Sequence, residues 1–173
     1  MDIRFVNHAS FVCEHAGVRL LCDPWLYGSA FNDGWDLIVE SGFTVEQFAD
    51  IDYIWFSHEH PDHFSPRVLL DIPKALRPKI TVLYKQTSDQ KVLEFCRKQG
   101  FAGRELHDRQ RTDLGSGLTV TCSRVPLHAL PNSRLVPWFY SEHADQSATR
   151  QPVAWPRAQP AKSLGGLGDS PFR

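Results

Sequence analysis

Phe56-Ser57-His58-Glu59-His60-Pro61-Asp62-His63-Phe64 packs three histidines and two carboxylates into the six residues from 58 to 63. Ahead of it, Ile51-Asp52-Tyr53-Ile54-Trp55-Phe56 is a short apolar run rich in β-branched and aromatic residues, which predicts a buried strand. Behind it, Ser65-Pro66 is a helix-capping residue followed by proline at the first helical position. The cluster therefore sits on a tight strand-to-helix loop, where short side chains converge. Imidazole nitrogens and carboxylate oxygens at this spacing suit zinc or a similar divalent cation. His58 and His60, one residue apart, can hold one metal, and Asp62 and His63 can face a second. Two metals roughly 3.5–4 Å apart clamp the attacking and leaving oxygens in many hydrolytic reactions. Eight histidines in 173 residues produce a few chance pairs. The order His-x-His-x-Asp-His directly after a hydrophobic strand is much harder to reach by chance, so a metal site is the reading adopted.

The length suits one domain with a sizeable core. With 42% hydrophobic and 23% charged residues and a formal net charge of −1, no field favours nucleic acid or an anionic membrane surface. No stretch approaches the roughly 20 apolar residues of a membrane span. The N-terminus lacks the pattern of a secretory signal. A cytoplasmic protein without an integral membrane segment is expected. Cys13, Cys22, Cys96 and Cys122 are widely spaced with no Cys-x-x-Cys pair, which favours buried free thiols over disulfides.

In chain order, Ile3 to Cys13 and Val18 to Asp23 predict two strands joined by a turn at His15-Ala16-Gly17. Asp23-Pro24 ends the second. Two readings fit Asp23: a carboxylate that accepts hydrogen bonds from the metal loop and orients a ligand histidine, or a turn cap before proline. Residues 26 to 50 are irregular and hold Tyr27, Phe31, Trp35 and Phe43. Such a loop forms either a substrate wall beside the metals or a strap pinned to the core. Thr44 to Phe48 predicts a helical turn. Pro66 to Asp71 predicts a short helix, broken at or before Pro73. Lys79 to Tyr84 and Leu118 to Val125 predict strands, with Glu105-Leu106-His107 a further strand edge. Ser88-Asp89 opens a helix that presents Val92, Leu93, Phe95 and Cys96 and ends at Gly100. Strands alternating with helices indicate an α/β layered domain.

His58-Glu59-His60-Pro61-Asp62-His63 resembles the signature loop of the metallo-β-lactamase-fold hydrolases. The resemblance extends upstream through Asn7-His8-Ala9-Ser10-Phe11 and Leu20-Leu21-Cys22-Asp23-Pro24-Trp25. It is strongest toward the branch holding the ascorbate-phosphate lactonases, the N-acyl-phosphatidylethanolamine phospholipase D enzymes and the CMP-N-acetylneuraminate hydroxylase-like proteins. Asp23 to Phe31 with Gly34-Trp35 leans toward the last. The resemblance implies an αββα sandwich of two mixed sheets with helices outside and metals at one edge, of which residues 1 to 128 carry the N-terminal part. It places His8 in the first strand turn, beside the active site or as a satisfied structural histidine. It also implies a third histidine for the first metal, sought at His128 after the Leu118–Val125 strand, while His107 reads as a surface residue. Residues 129 to 173 hold six of the twelve prolines and little periodicity, and are expected to be a non-family, extended or disordered tail. A truncated or frame-shifted copy, or a divergent extension pairing with a partner, would each explain that tail.

Two functions follow. The first is a metal-dependent hydrolase in which His58, His60, Asp62 and His63, with His128, hold one or two zinc ions, or iron or manganese. Asp62 would then also orient or deprotonate the water that attacks an ester, amide, lactone or phosphodiester. The second is a metal-binding or structural module without turnover. The expected partners are a small-molecule substrate and, for a chain with an incomplete domain, a second copy in a homo-oligomer; no nucleic acid is expected.

Overall fold

The structure is a computed structural model that describes residues 1–123 and the backbone of 138–141. The chain divides into the compact units Met1–His143 and Ala144–Arg173, and all described residues lie in the first.

Nine strands and two α-helices are described. They are β1 (Asp2–Asn7), β2 (Ser10–His15), β3 (Val18–Cys22), β4 (Tyr53–Phe56), α1 (Pro66–Asp71), β5 (Thr81–Lys85), α2 (Lys91–Lys98), β6 (Ala102–Leu106), β7 (Arg111–Gly115), β8 (Leu118–Thr121) and β9 (Trp138–Ser141). The first six strands form one sheet in the order β1-β2-β3-β4-β5-β6, and the last three form a second. β1 to β3 are an antiparallel meander, while β3 to β6 run parallel.

The central strands bury both faces, which is why they read as continuous apolar runs and not as alternating ones. The period of two still sorts their side chains. Leu21, Ile54, Phe56, Val82 and Tyr84 join the core beneath α1, α2 and a 3₁₀ turn at Val45–Asp50. Leu20, Cys22, Trp55 and Leu83 point the other way, into a second core with Leu114, Leu118 and Val120 of the smaller sheet. The layers run helix, sheet, sheet. This is the α/β sandwich expected from sequence, with three of its four layers present among the described residues. Each fully buried Leu or Ile of these cores contributes about 2 kcal/mol. All four cysteines are free and buried. Burial pushes the Cys96 thiol up to about 12 and the Cys22 thiol well above its ordinary value, so neither is a ready nucleophile.

Several boundaries differ from expectation. Ile3 to Cys13 is two strands and not one, because the chain reverses at His8-Ala9 and pairs Asn7 with Ser10. α2 does not start on Ser88; Gln90 stands at its N-cap with φ +48°, and Asp89 Oδ1 accepts from the Lys91 amide at 3.5 Å. β7 was not anticipated, since Arg-Thr-Asp-Leu-Gly turns only Thr112 and Leu114 inward. β8 ends at Thr121, and the expected continuation to Val125 lies partly outside the described residues. Trp138–Ser141 pairs antiparallel with β8, so the expectation of a tail without sheet structure fails for those four residues. Their three consecutive aromatics carry strong strand preference. Among the described residues no helix is long and apolar enough to cross a membrane.

Arg77 is 5% exposed and pairs with no carboxylate among the described residues. Its guanidinium donates to the carbonyls of Ile72 (2.9 Å), Leu70 (2.7 Å) and Gln99 (3.0 Å), closing the C-terminal ends of α1 and α2. It also lies over the Phe101 ring at 5.8 Å. Arg77→Met is expected to lower unfolding free energy by about 2–3 kcal/mol, because buried carbonyls lose charged donors. Arg77→Lys should recover little, since one ammonium cannot reach three carbonyls. Urea titration measures both, and a change under about 0.5 kcal/mol for Arg77→Met would refute this role.

Candidate metal centre

β1, β3 and β4 point the same way, so the residues that follow them, His8, Asp23 and Ser57, lie along one edge of the large sheet. Ligands of open α/β sheets gather at such carboxyl ends. The loop after β4 is drawn tight by its own backbone: the amides of His63 (2.9 Å) and Phe64 (2.7 Å) both donate to the His60 carbonyl. That turn, begun by Pro61, folds Asp62 and His63 back toward His58. The His58 ring lies 4.0 Å from the His63 ring and 4.5 Å from the His60 ring, centroid to centroid.

One carboxylate organises these rings. Asp23 is 5% exposed and accepts from the Ser57 amide (2.7 Å), the Ser57 hydroxyl (2.7 Å) and His63 Nδ1 (2.9 Å). An ionised carboxylate only accepts, so His63 carries its proton on Nδ1 and exposes a lone pair at Nε2. The Ser57 proton is committed to Asp23, so Ser57 Oγ accepts from His58 Nδ1 at 2.8 Å. His58 Nε2 is left bare in the same way. These proton positions follow from the hydrogen-bond network. Burial, with His63 and His60 close by, pushes His58 down to about 4. The neutral ring is the form that ligates metal.

The remaining sequence-derived residues divide clearly. Asp62 is buried, and its Oδ2 lies 3.4 Å from His63 Nε2 and 3.0 Å from His8 Nε2. Its Oδ1 is buried with no hydrogen-bond partner among the described residues. Ligand atoms of His8, Asp62 and His63 all fall within 4.8 Å of one another. His60 is exposed, with its ring 5.9 Å from Phe31. His107 is exposed. His128 lies outside the described residues. Sequence reasoning passed over Ser57, although its place directly before His58 was the available signal.

These residues fit a divalent cation. The lone pair of His63 Nε2 faces a carboxylate oxygen, two acceptors with no proton assigned between them, and the adjacent Oδ1 is orphaned. A cation between them satisfies all three atoms.

The loop after β3 is in part the strap pinned to the core, and in part lies beside the cluster. Phe43 is core, and Tyr27 packs against the same core. Phe31 (40% exposed) and Trp35 (51% exposed) stand beside the site, joined by a backbone bridge between Ala30 and Trp35. A groove of about 710 Å³ opens there, lined by His8, Trp25, Trp35, Asp36, Ile38 and Glu40 among others.

Several known proteins are similar to this chain. A protein of Mycolicibacterium smegmatis named for a Rieske 2Fe-2S iron-sulfur centre is 35% identical over 69 residues, 40% of this chain and 13% of its own length. The cytidine monophosphate-N-acetylneuraminic acid hydroxylase of Danio rerio is 31% identical over 101 residues, 58% of this chain and 17% of its own. This chain thus spans under a fifth of the length of these curated relatives. In fold it is similar to the isothiocyanate hydrolase from Delia radicum gut bacteria, with a TM-score of 0.58, 20% identity, and coverage of 82% of this chain and 59% of that one. The family described as "Beta-lactamase superfamily domain" matches residues 2–120, well over half of the sequence and all of the loop, so the chain belongs to that superfamily and carries its metallo-hydrolase fold.

Proposed function

We propose that this chain is the metal-binding part of a hydrolase acting on a small ester or lactone. His58, His60, Asp62 and His63 hold one or two divalent ions, zinc first, with iron or manganese as alternatives. When bound, such an ion supplies Lewis acidity and brings the pKa of a water toward neutrality. The observation that carries the reading is the His63–Asp62 pair, a bare imidazole nitrogen against a carboxylate whose other oxygen has no partner. Asp23 and Ser57 hold the two rings in the ligating tautomer, so no reorganisation precedes binding. Asp62, whose carboxylate lies against both His8 and His63, would also orient or deprotonate the attacking water. Trp35 and Phe31 flank the cluster, with rings 6.4 Å from His8 and 5.9 Å from His60. Among the described residues lining the groove there are two carboxylates, Asp36 and Glu40, and no lysine or arginine. That lining supports a neutral acyl substrate over a phosphodiester, which would want a cation.

One observation favours a second reading, a metal-binding module without turnover: the chain matches under a fifth of its curated relatives' length, so groups that complete a reaction elsewhere need not lie on it. Metal content of the purified full-length chain, measured beside a panel of esters, lactones and phosphodiesters, separates the two. A hydrolase retains metal through dialysis, turns over at least one substrate, and loses that turnover in His58→Ala. Retained metal without turnover supports the module, and no retained metal refutes both.

A further inference from the structure

We propose that His8 is a direct metal ligand, forming with Asp62 and His63 a three-residue set for one divalent cation. This rests on the reading that the loop holds metal, and adds a ligand from a different part of the chain. Three observations carry it. His8 Nε2 lies 3.0 Å from Asp62 Oδ2, which lies 3.4 Å from His63 Nε2, so the three ligand atoms surround one point. Asp62 is 5% exposed and its Oδ1 has no partner among the described residues, an unsatisfied buried acceptor within that set. Lastly, the His8 turn is built to hold its ring there. The residues flanking it clamp the strand-end segment after β3: Asn7 Nδ2 donates to the Trp25 carbonyl at 2.9 Å, and the Ser10 hydroxyl donates to the Asp23 carbonyl. The His8 ring meets Trp25 edge-on at 5.4 Å. His8 itself adopts φ +38°, a left-handed backbone that costs a non-glycine residue about 1 kcal/mol.

The competing role is a hydrogen bond from His8 to Asp62 that merely orients the carboxylate. Glutamine distinguishes the two, since its amide can donate to Asp62 but offers no imidazole nitrogen. Full-length chain would be loaded with Co²⁺ and studied as wild type, His8→Ala, His8→Gln and the exposed-surface control His107→Ala. Readouts are ion affinity by chelator competition, the count of paramagnetically shifted imidazole resonances, and the thermal melt of each metal-free variant. The expected result is one shifted imidazole fewer in both His8 variants and an affinity about ten- to a hundredfold weaker. His107→Ala should match wild type, and so should the metal-free melt of His8→Gln, which keeps a donor for Asp62. Wild-type affinity in His8→Gln, or an unchanged resonance count in His8→Ala, overturns the proposal while leaving the hydrolase reading intact. A wild type that takes up no ion overturns both.

Discussion

Asp23→Ala is expected to cost the fold about 3–4 kcal/mol and to weaken metal uptake about ten- to a hundredfold, two losses that a second substitution separates. Alanine leaves the Ser57 amide, the Ser57 hydroxyl and His63 Nδ1 without the acceptor they share. At least the amide is then buried and unpaired, and each such group costs about 1–3 kcal/mol. Alanine also suits the backbone poorly, since Asp23 sits at φ +42°. Asp23→Asn tolerates that φ and keeps one acceptor for the Ser57 amide, so it should fold at a cost of about 1 kcal/mol. Its amide nitrogen, placed where Oδ2 now accepts, is a donor. It turns His63 to the other tautomer, with a lone pair on Nδ1 and the proton on Nε2, where a metal would otherwise bind. Asp23→Asn should therefore fold and still lose affinity. Chemical denaturation and chelator competition on the same samples measure both, and wild-type affinity in Asp23→Asn would refute the control of ring tautomer by Asp23.

The same residue shows where sequence reading succeeds and stops. α1 spans Pro66–Asp71 as expected, because its start is written locally: the Ser65 side chain accepts from the Val68 amide and Pro66 stands at the first turn. β4 and its loop are likewise local, and a contiguous cluster is visible at once. Residue patterning missed the reversal at His8-Ala9, which only the family resemblance suggested, because no glycine or proline marks it; the left-handed φ there falls on a histidine. That miss concealed more than a strand boundary. The contact between His8 and Asp62 joins residues 54 apart, and only the pairing of β1 through β4 brings them to one edge. Spacing in sequence carries no record of sheet order. Asp23 was left between two roles for the same reason: its partners Ser57 and His63 lie 34 and 40 residues away. At Gln90 a local cue was present but outcompeted. Its amide donates to Thr87 Oγ1 at 3.2 Å, which moves the helix start past the serine and aspartate that looked like caps.

Asp62→Ala should have opposite effects on binding and on stability. Removing the carboxylate takes away the oxygen that lies against both His8 and His63, and the affinity for the ion between them should fall at least a hundredfold, with any hydrolytic turnover falling at least as far. The metal-free chain, however, should gain about 1 kcal/mol and melt roughly 3 °C higher. Asp62 is 5% exposed, its Oδ1 is buried without a partner among the described residues, and its Oδ2 has the His8 ring as its described donor while facing a His63 nitrogen that the Asp23 bond leaves unprotonated. A buried carboxylate so poorly satisfied is destabilising until a cation joins it. The rings left behind, His8 and His63, are 34% and 18% exposed at their side chains and can turn to water. Differential scanning calorimetry of chelator-treated and metal-loaded samples gives the four melting points required. Wild type should show the larger shift on loading and Asp62→Ala the higher metal-free midpoint. Were the metal-free variant to melt well below wild type, Asp62 would be holding the loop together by itself, and the case for a cation at this edge of the sheet would lose its main physical support.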